Sequence, residues 1–312
     1  MNRDIPAKPD PRGIFSPGAL TLLADDHRLD AFRPIDHGLG AGFVADQLLT
    51  PLAAAFPNYG IRDAIAMQGS FKGGDWTASS GHVCGRFMAS LFGIPPTERV
   101  AYLRFGCFQR WVGERVTETI LILDLPSLMI QAGVWPLATP LGPDLMAPPP
   151  LRNGIWPTGD SAASLAIVEG MIGGLMKYDG SLKTMKMRDF FAEDFWWFGP
   201  GPVGSFRGFA DYERGHATPF LTAFPDRVGG NHRARFGDGA FVASTGWPSI
   251  TATHKGDGWL GIPATDRAIT MRVMDFWHAE NGFLIENWVM IDIPDLLKQM
   301  GIDVFAALKQ GS

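Results

Sequence analysis

Hydrophobic residues follow a helical period and then a strand period in the second half of the chain. Behind Asp160, apolar residues form one stripe over 161–177, which predicts a helix with a capping aspartate. Two further helices are predicted over 183–191 and 209–224. The period then becomes two, which predicts strands over 232–236, 240–245, 268–278 and 283–291. Helices followed by an antiparallel run of strands indicate an α+β fold.

The chain also repeats itself at an offset of 168 positions. Three collinear pairs of segments match: 50–57 with 218–225, 93–99 with 261–267, and 124–133 with 292–301. Such matches predict two copies of one domain, at residues 1–155 and 156–312. The proline-rich stretch 136–157 has neither period and is predicted to be a stiff linker between the copies.

A hairpin turn is predicted at 280–282, where Asn and Gly accept positive φ. Its length decides which side chains share a face of the sheet. A three-residue loop places His278 beside Glu286, whereas a two-residue loop places Asp275 on the face of Glu286 instead. We prefer the first register because it sets a basic residue beside a glutamate in both copies. In the first copy that pair is Arg110 and Glu118.

Composition excludes several classes of protein. A length of 312 residues fits two domains, and a formal net charge of -5 without a basic run argues against a nucleic-acid partner. The polar start predicts no secretory signal, and no apolar stretch reaches the roughly 18 residues of a membrane span. Two cysteines are too few for a disulfide framework, so we expect a cytoplasmic protein. Metal and nucleotide motifs are absent, and neither a metal nor an organic cofactor is expected.

The end of each copy resembles a known family. Gly261-Ile-Pro-Ala-Thr265, the run 274–282, the run 285–288 and Asp292 are similar to the SnoaL-like polyketide cyclase family of the nuclear transport factor 2-like (NTF2-like) superfamily. The first copy resembles the N-terminal half of tandem members, for example in Gly81-His82 and in the run 131–136. Together the resemblance covers about 43–135 and 160–302.

This resemblance implies an α+β fold of two tandem cone-shaped NTF2-like domains, that is, cystatin-like α+β barrels. In each domain, a curved antiparallel sheet is wrapped by helices around a pocket. The two domains form an internal pseudo-dimer, and association of two chains into a homodimer is left as an alternative. The implied activity is cofactor-free cyclisation, by an intramolecular aldol reaction, of a hydrophobic carbonyl-bearing small molecule such as a polyketide. A non-catalytic small-molecule binding protein and an epoxide or ester hydrolase of the same superfamily remain alternatives.

An aldol closure needs a base for an acidic C–H group and a donor for the developing oxyanion, both in a dry pocket. The resemblance implies Asp292 as the general acid/base, but Asp292 also lies where an aspartate caps a helix, two residues before Pro294. His278 and Glu286 complete the predicted catalytic set, with a structural ion pair between them as the alternative.

Substrate-binding residues are expected on the same strands, with tryptophan side chains as a flat apolar wall for a planar substrate. In the second copy they are Trp288, Trp197, Asp275, Arg272 and Met290. Corresponding candidates for a first-copy site are Asp124, His82, Arg104, Arg110 and Glu118. We expect the second copy to be the active one, because it keeps Asp275, His278, Glu286, Trp288 and Asp292. Tandem members tend to carry an acid where the first copy has Cys107, so we expect a loss of function at that position. A buried, inert thiol is the expected state of Cys107.

Overall fold

The computed structural model describes residues 10, 12–16, 18–143 and 158–310, with the backbone alone at 63, 64 and 310. Two compact units account for them. The first holds the described residues up to Trp135 together with the segment from Asp303, and the second holds residues from Pro136 together with the run up to Ile302. The predicted boundary near residue 155 lies outside the described residues, and of the predicted linker only 136–143 lies within them.

The first unit contains a six-stranded sheet in the order β2-β1-β6-β5-β4-β3. Neighbouring strands are antiparallel except β1 and β6, which run parallel. Its strands are β1 Leu23–Ala31, β2 His37–Leu39, β3 Gly60–Phe71, β4 Gly74–Arg86, β5 Val100–Val112 and β6 Arg115–Leu123. Its helical elements are a 3-10 turn at Gly13–Phe15, α1 Ala19–Leu22, α2 Gly40–Val44, a π-helical turn at Ala45–Leu49, α3 Thr50–Ala55 and α4 Leu125–Gln131.

The second unit repeats this order as β8-β7-β12-β11-β10-β9, again with one parallel pair, β7 and β12. Its strands are β7 Phe191–Phe198, β8 Ser205–Arg207, β9 Ala234–Asp238, β10 Phe241–Thr253, β11 Ala268–Glu280 and β12 Phe283–Ile291. Its helices are α5 Ser161–Leu175, α6 Gly208–Tyr212, a π-helical turn at Glu213–Ala217, α7 Thr218–Ala223 and α8 Ile293–Met300. A last helix, α9 Val304–Gln310, belongs to the first unit.

The α+β class and the duplicated architecture are thus confirmed, but the sheets are mixed rather than wholly antiparallel. The difference comes from Phe191–Phe198, which the sequence analysis did not identify as a strand. Its buried residues Phe191, Phe195 and Trp197 are separated by exposed Glu193 and Asp194, so the alternation is broken in sequence. This strand pairs with β12 and thereby brings Trp197 to the interior of the unit.

Helices of the second unit follow the sequence prediction in part. The capped helix is confirmed, since the Asp160 side chain accepts hydrogen bonds from the backbone N–H groups of Ala162 and Ala163. The helix predicted over 183–191 is wrong, because that stretch forms two 3-10 turns, Leu182–Met185 and Met187–Asp189. The helix predicted over 209–224 is present as Gly208–Ala223, with the π-helical turn in its middle.

The hairpin between β11 and β12 combines features of both predicted alternatives. Its turn has two residues, Asn281 and Gly282, with φ values of 51° and 85°. A bulge next to the turn then shifts the pairing, so that His278 lies opposite Glu286, as preferred. Because the bulge absorbs one residue, the two-residue turn yields the register expected of a three-residue loop.

Within the described residues, no helix has the length and apolar character that crossing a membrane requires.

Candidate active site

A cavity of about 170 Å³ lies in the second unit between α5 and the sheet formed by β10, β11 and β12. Methionine, aliphatic and aromatic side chains form most of its wall, and an adjoining hollow of about 630 Å³ shares four lining residues with it. The shared residues are Met185, Met187, Tyr212 and Ala217. An apolar cavity with a few polar groups is the usual form of a small-molecule site.

Asp275 is the carboxylate in this cavity. It lies on the same face of β11 as Val273 and Trp277, which also line the cavity. Burial raises the pKa of Asp275 to about 7, and a hydrogen bond from Asn287 opposes that rise. Asn287 is held in place because its side-chain N–H also donates to the carbonyl of Phe276, at 3.1 Å. The carboxyl group can therefore bind and release a proton near neutral pH.

An aromatic cluster on the cavity wall combines Trp197 of β7, Tyr212 of α6 and His216 of the π-helical turn. The rings of His216 and Trp197 are stacked with centroids 4.0 Å apart, and Tyr212 lies 5.4 Å from His216. Burial lowers the pKa of His216 to about 3, so the imidazole is neutral at physiological pH. Burial, followed by the negative charge of Asp275, raises the pKa of Tyr212, so its hydroxyl stays protonated.

Arg227 supplies the cation on the cavity wall. Its guanidinium donates to the carbonyl oxygen of Leu175 at 3.1 Å and lies over the ring of Tyr178, 4.8 Å from the centroid. Burial lowers the pKa of Arg227 from the strongly basic range that is ordinary for a guanidinium. Positive charge is thus held beside an otherwise apolar cavity.

Two of the residues predicted for the second copy, Asp275 and Trp197, line this cavity. The others lie elsewhere, because Arg272, His278, Glu286, Trp288, Met290 and Asp292 occupy the opposite face of the hairpin. His278 Nδ1 pairs with Glu286 at 2.9 Å, and Trp288 stacks on Phe198. The sheet turns the face of Asp275 toward the cavity, so the residues predicted as catalytic lie on the face that does not line it.

Asp292 has the helix-capping role that the sequence left as its alternative. Its side chain accepts a hydrogen bond from the backbone N–H of Asp295 at the start of α8, and it forms an ion pair with Arg272 at 2.9 Å. Asp292 is 1% exposed and is not among the residues that line the cavity. A buried carboxylate committed to a helix N-terminus and an arginine is part of the framework.

The first unit repeats this arrangement at its own predicted residues. Asp124 caps α4 through the backbone N–H of Ser127 and forms an ion pair with Arg104 at 3.1 Å. His82 lies opposite Arg104 in the sheet, and burial, followed by the charge of Arg104, lowers its pKa to about 3. Arg110 lies opposite Glu118 on the strand pair β5 and β6. At the position that corresponds to Asp275 of the second unit, the first unit has Cys107. None of these residue pairs brings an acid to that position.

Six polar residues of the cavity were not found from the sequence: Tyr212, His216, Arg227, His232, Ser249 and Asn287. A helical stripe at 212, 216 and 220 was available as a signal, since residues four apart share a helix face. Asn287 can be identified as a cavity residue once the hairpin register is known, because it lies opposite Trp277 in the pairing of β11 with β12. Within the described residues, no three His, Cys, Asp or Glu side chains come together in a way that could hold a metal ion.

Known structures similar to this chain each correspond to about half of it. AclR of Streptomyces galilaeus, a proposed hydroxylase, is 19% identical, with a TM-score of 0.37 over 46% of this chain and 83% of its own. An NTF2-like protein of Burkholderia xenovorans is 17% identical, with a TM-score of 0.36 over 45% and 98%. IdmH of Streptomyces antibioticus, a proposed polyketide cyclase, is 24% identical, with a TM-score of 0.33 over 43% and 98%.

Sequence comparison locates the family signal in the second unit. No curated protein matches the chain in sequence. Residues 180–300 match the family model described as SnoaL-like polyketide cyclase. This segment runs from the 3-10 turns beside the cavity, through all six strands, to the end of α8, and so includes the acid and the aromatic cluster described above. Similarity to the SnoaL-like polyketide cyclase family thus extends over residues 180–300, within the second unit.

Proposed function

We propose that the second unit catalyses cofactor-free acid–base chemistry on a hydrophobic, carbonyl-bearing small molecule, in the manner of an intramolecular aldol cyclisation. The observation that carries the proposal is the cavity carboxyl group of Asp275, whose pKa burial raises to about 7. A general base works best when its pKa lies near the operating pH. The match of residues 180–300 to a family of cyclases supports the same reaction class.

In the proposed reaction, the Asp275 carboxylate removes a proton from a carbon next to a carbonyl. The resulting enolate carbon attacks a second carbonyl of the same molecule, so that one C–C bond forms and the attacked oxygen becomes an alkoxide. That oxygen then takes the proton from Asp275. The protonated hydroxyl of Tyr212, on the cavity wall, is the proposed donor to a developing oxyanion. Every proton that is removed is returned, so no cofactor is required.

The shape and lining of the site support a largely apolar, ring-bearing substrate. Stacked Trp197 and His216 offer a flat wall to an aromatic or conjugated ring. The adjoining hollow of about 630 Å³ would hold the part of the substrate that exceeds the inner cavity. We propose that a polyketide-like compound binds with its reacting carbon at Asp275 and its rings against Trp197.

The test uses ortho-acetylphenylacetone, a benzene ring whose neighbouring carbons bear an acetyl and an acetonyl group. Aldol closure and loss of water convert it into a fluorescent naphthol. In deuterated water, NMR also measures exchange of the protons next to its carbonyls. We expect the full chain to accelerate both processes and Asp275→Asn to lower both rates by at least about a hundredfold, as loss of a general base typically does.

Glu286→Gln is the matched control, because it neutralises a carboxylate of the same hairpin that lies on the face away from the cavity. This variant should retain exchange and cyclisation at nearly the rate of the unaltered chain. Equal activity in Asp275→Asn, in a protein with an unaltered circular dichroism spectrum, contradicts the proposal. Saturable binding of the diketone without any exchange would favour the non-catalytic binding protein instead.

A further inference from the structure

Gly13–Phe15, the 3-10 turn near the start of the described chain, covers the wall of the first unit that corresponds to the cavity of the second. At the repeat offset, Phe105, Cys107 and Leu121 correspond to Val273, Asp275 and Val289, all of which line the second-unit cavity. The turn contacts two of these three first-unit positions directly. The turn therefore occupies the place in the first unit that corresponds to the cavity proposed to bind the substrate in the second unit.

The turn packs directly against the centre of this wall. The backbone N–H of Ile14 hydrogen-bonds the thiol of Cys107, and the ring of Phe15 meets that of Phe105 edge to face at 5.0 Å. Ile14 is fully buried. Gly13 has a φ of 53°, and a Cβ atom added to it would lie 3.0 Å from Cys107 Sγ. Both the left-handed backbone and the close approach require a glycine there.

A remnant of open space remains beside the turn. A hollow of about 160 Å³ is lined by Gly13 together with Thr77, Gln109 and Trp111. Gln109 corresponds to Trp277, which lines the second-unit cavity. In the first unit, the turn thus covers one part of this wall and the hollow borders another part. In the second unit, the corresponding residues line one cavity.

Among the described residues, the segment that these contacts place on the wall is short. The turn has three residues, and its apolar burial rests on the side chains of Ile14 and Phe15. By contrast, the corresponding sheet face of the second unit is covered by the fifteen-residue helix α5. Short segments with few buried side chains open locally at a lower free energy than the whole domain unfolds.

We propose that Gly13–Phe15 is an internal occupant of a second ligand site, a latent apolar pocket of the first unit that opens when the turn leaves. The ligand class is an uncharged apolar small molecule. Ile14 and Phe15 show which chemistry the wall accepts, and the thiol of Cys107 replaces the acid that the second unit uses. This pocket binds without acid–base chemistry, and the proposal is independent of the activity proposed for the second unit.

Cys107 reports directly on opening of the turn. Burial raises the pKa of its thiol to about 12, so a closed turn keeps it unreactive. Cys84 is the other cysteine of the chain, and Cys84→Ser leaves a single thiol. In this background, the rate of labelling by N-ethylmaleimide is measured on the full chain. Ile14→Ala with Phe15→Ala should raise that rate by at least about tenfold, since truncation of buried side chains favours the open state.

Gly13→Val provides a second variant that keeps the apolar side chains of the turn but cannot fit against Cys107. It should raise the labelling rate by a similar factor. Leu128→Ala is the control, because it truncates a fully buried side chain of the same unit that belongs to a different element, α4. Circular dichroism and the urea midpoint show that each variant compared is folded.

Ligand capacity is measured with the uncharged apolar dye N-phenyl-1-naphthylamine. Both turn variants should bind one more dye molecule per chain than the Cys84→Ser parent, and the bound dye should slow the labelling of Cys107. Three results would overturn the proposal: unchanged labelling in folded turn variants, equal acceleration by Leu128→Ala, or faster labelling without additional bound dye. The first shows that the turn is not the barrier, the second that opening is global, and the third that no pocket forms.

Discussion

Asp275 should make the stability of the second unit depend on pH. An aspartate in the unfolded chain ionises near its ordinary pKa of 3.8, whereas Asp275 holds its proton in the folded state to about pH 7. Between these values the folded state binds more protons, so raising the pH lowers the free energy of unfolding. Asp275→Asn removes this titration. Between pH 4 and pH 8, the variant should gain up to about 4 kcal/mol relative to the unaltered chain, measured by urea unfolding.

Asp226→Asn supplies a control of opposite sign. Asp226 accepts a hydrogen bond from the backbone N–H of Thr253, and this bond lowers the pKa of its carboxyl group. Its contribution to stability is therefore present above the ordinary pKa and is lost on acidification. Replacing Asp226 should cost stability at pH 8 and cost less at pH 3. A relative stability of Asp275→Asn that stays constant from pH 4 to pH 8 would contradict the buried, proton-binding state of Asp275.

Asp292 should contribute to stability rather than to chemistry. Asp292→Ala removes the cap of α8 and leaves Arg272 without the carboxylate that it pairs with at 2.9 Å, at a cost of about 3 kcal/mol. Asp292→Asn keeps a capping oxygen and should cost less. Urea denaturation measures both variants, and proton exchange into the diketone should persist in Asp292→Asn. Loss of exchange in that variant, with its fold intact, would restore the catalytic role that the family resemblance implies.

Elements were predictable from the sequence wherever one pattern was uninterrupted. Strands β11 and β12 alternate regularly, and their pairing of His278 with Glu286 follows from the register preferred at the sequence level. The sequence pattern did not determine which face of this hairpin lines the cavity. Both faces of this hairpin are largely apolar, and a carboxylate stands on each, Asp275 on one and Asp292 on the other. Only the curvature of the sheet and the position of α5 distinguish them, and these are tertiary properties.

The π-helical turn illustrates a second limit of sequence patterns. Residues 212, 216 and 220 have a regular helical spacing, yet the turn at Glu213–Ala217 widens the helix locally. The local change from α-helical to π-helical hydrogen bonding depends on packing against neighbouring residues, and no hydrophobic period in the sequence indicates it. The first unit has the same device at Ala45–Leu49, so the duplicated fold preserves it even where the side chains differ.

The hairpin turn gives an element-scale prediction. Gly282 has a φ of 85°, and a Cβ atom there would meet nothing within 4 Å, so the cost of Gly282→Ala is confined to the backbone. We expect about 1–2 kcal/mol, the penalty of a left-handed conformation for an L-residue. Gly282→Asn should cost less, since Asn tolerates this region. Hydrogen exchange of the amides of β11 and β12 measures both, and equal protection in the Ala variant and the unaltered chain would contradict the prediction.

At the scale of the whole chain, two units with the same strand order have been specialised by what covers the sheet. The second covers it with α5 and keeps a cavity, and it places an acid at position 275. The first covers the corresponding wall with a short turn and places Cys107 at the corresponding position. Duplication thus supplies two frameworks of equal topology, and a few residues decide which of them has a cavity lined by a carboxylate.

The C-terminal helix should stabilise the first unit, although it follows the second in sequence. Helix α9 belongs to the first unit, where Asp303 caps it and lies 3.5 Å from Arg33, and where Val304 and Phe305 are buried. Both cysteines of the chain lie in that unit, so thiol labelling in urea reports on its unfolding alone.

Truncating both buried side chains of α9, as Val304→Ala with Phe305→Ala, should cost about 4 kcal/mol and lower the urea concentration at which Cys107 becomes reactive. Leu297→Ala, in α8 of the second unit, is the matched control, because its side chain is equally buried but should not shift that midpoint. Hydrogen exchange of the β11 amides should respond in the opposite way, being altered by Leu297→Ala and unaffected by the α9 variant. An equal shift of the Cys107 midpoint by both variants would mean that the units unfold together, so that α9 stabilises the chain as a whole.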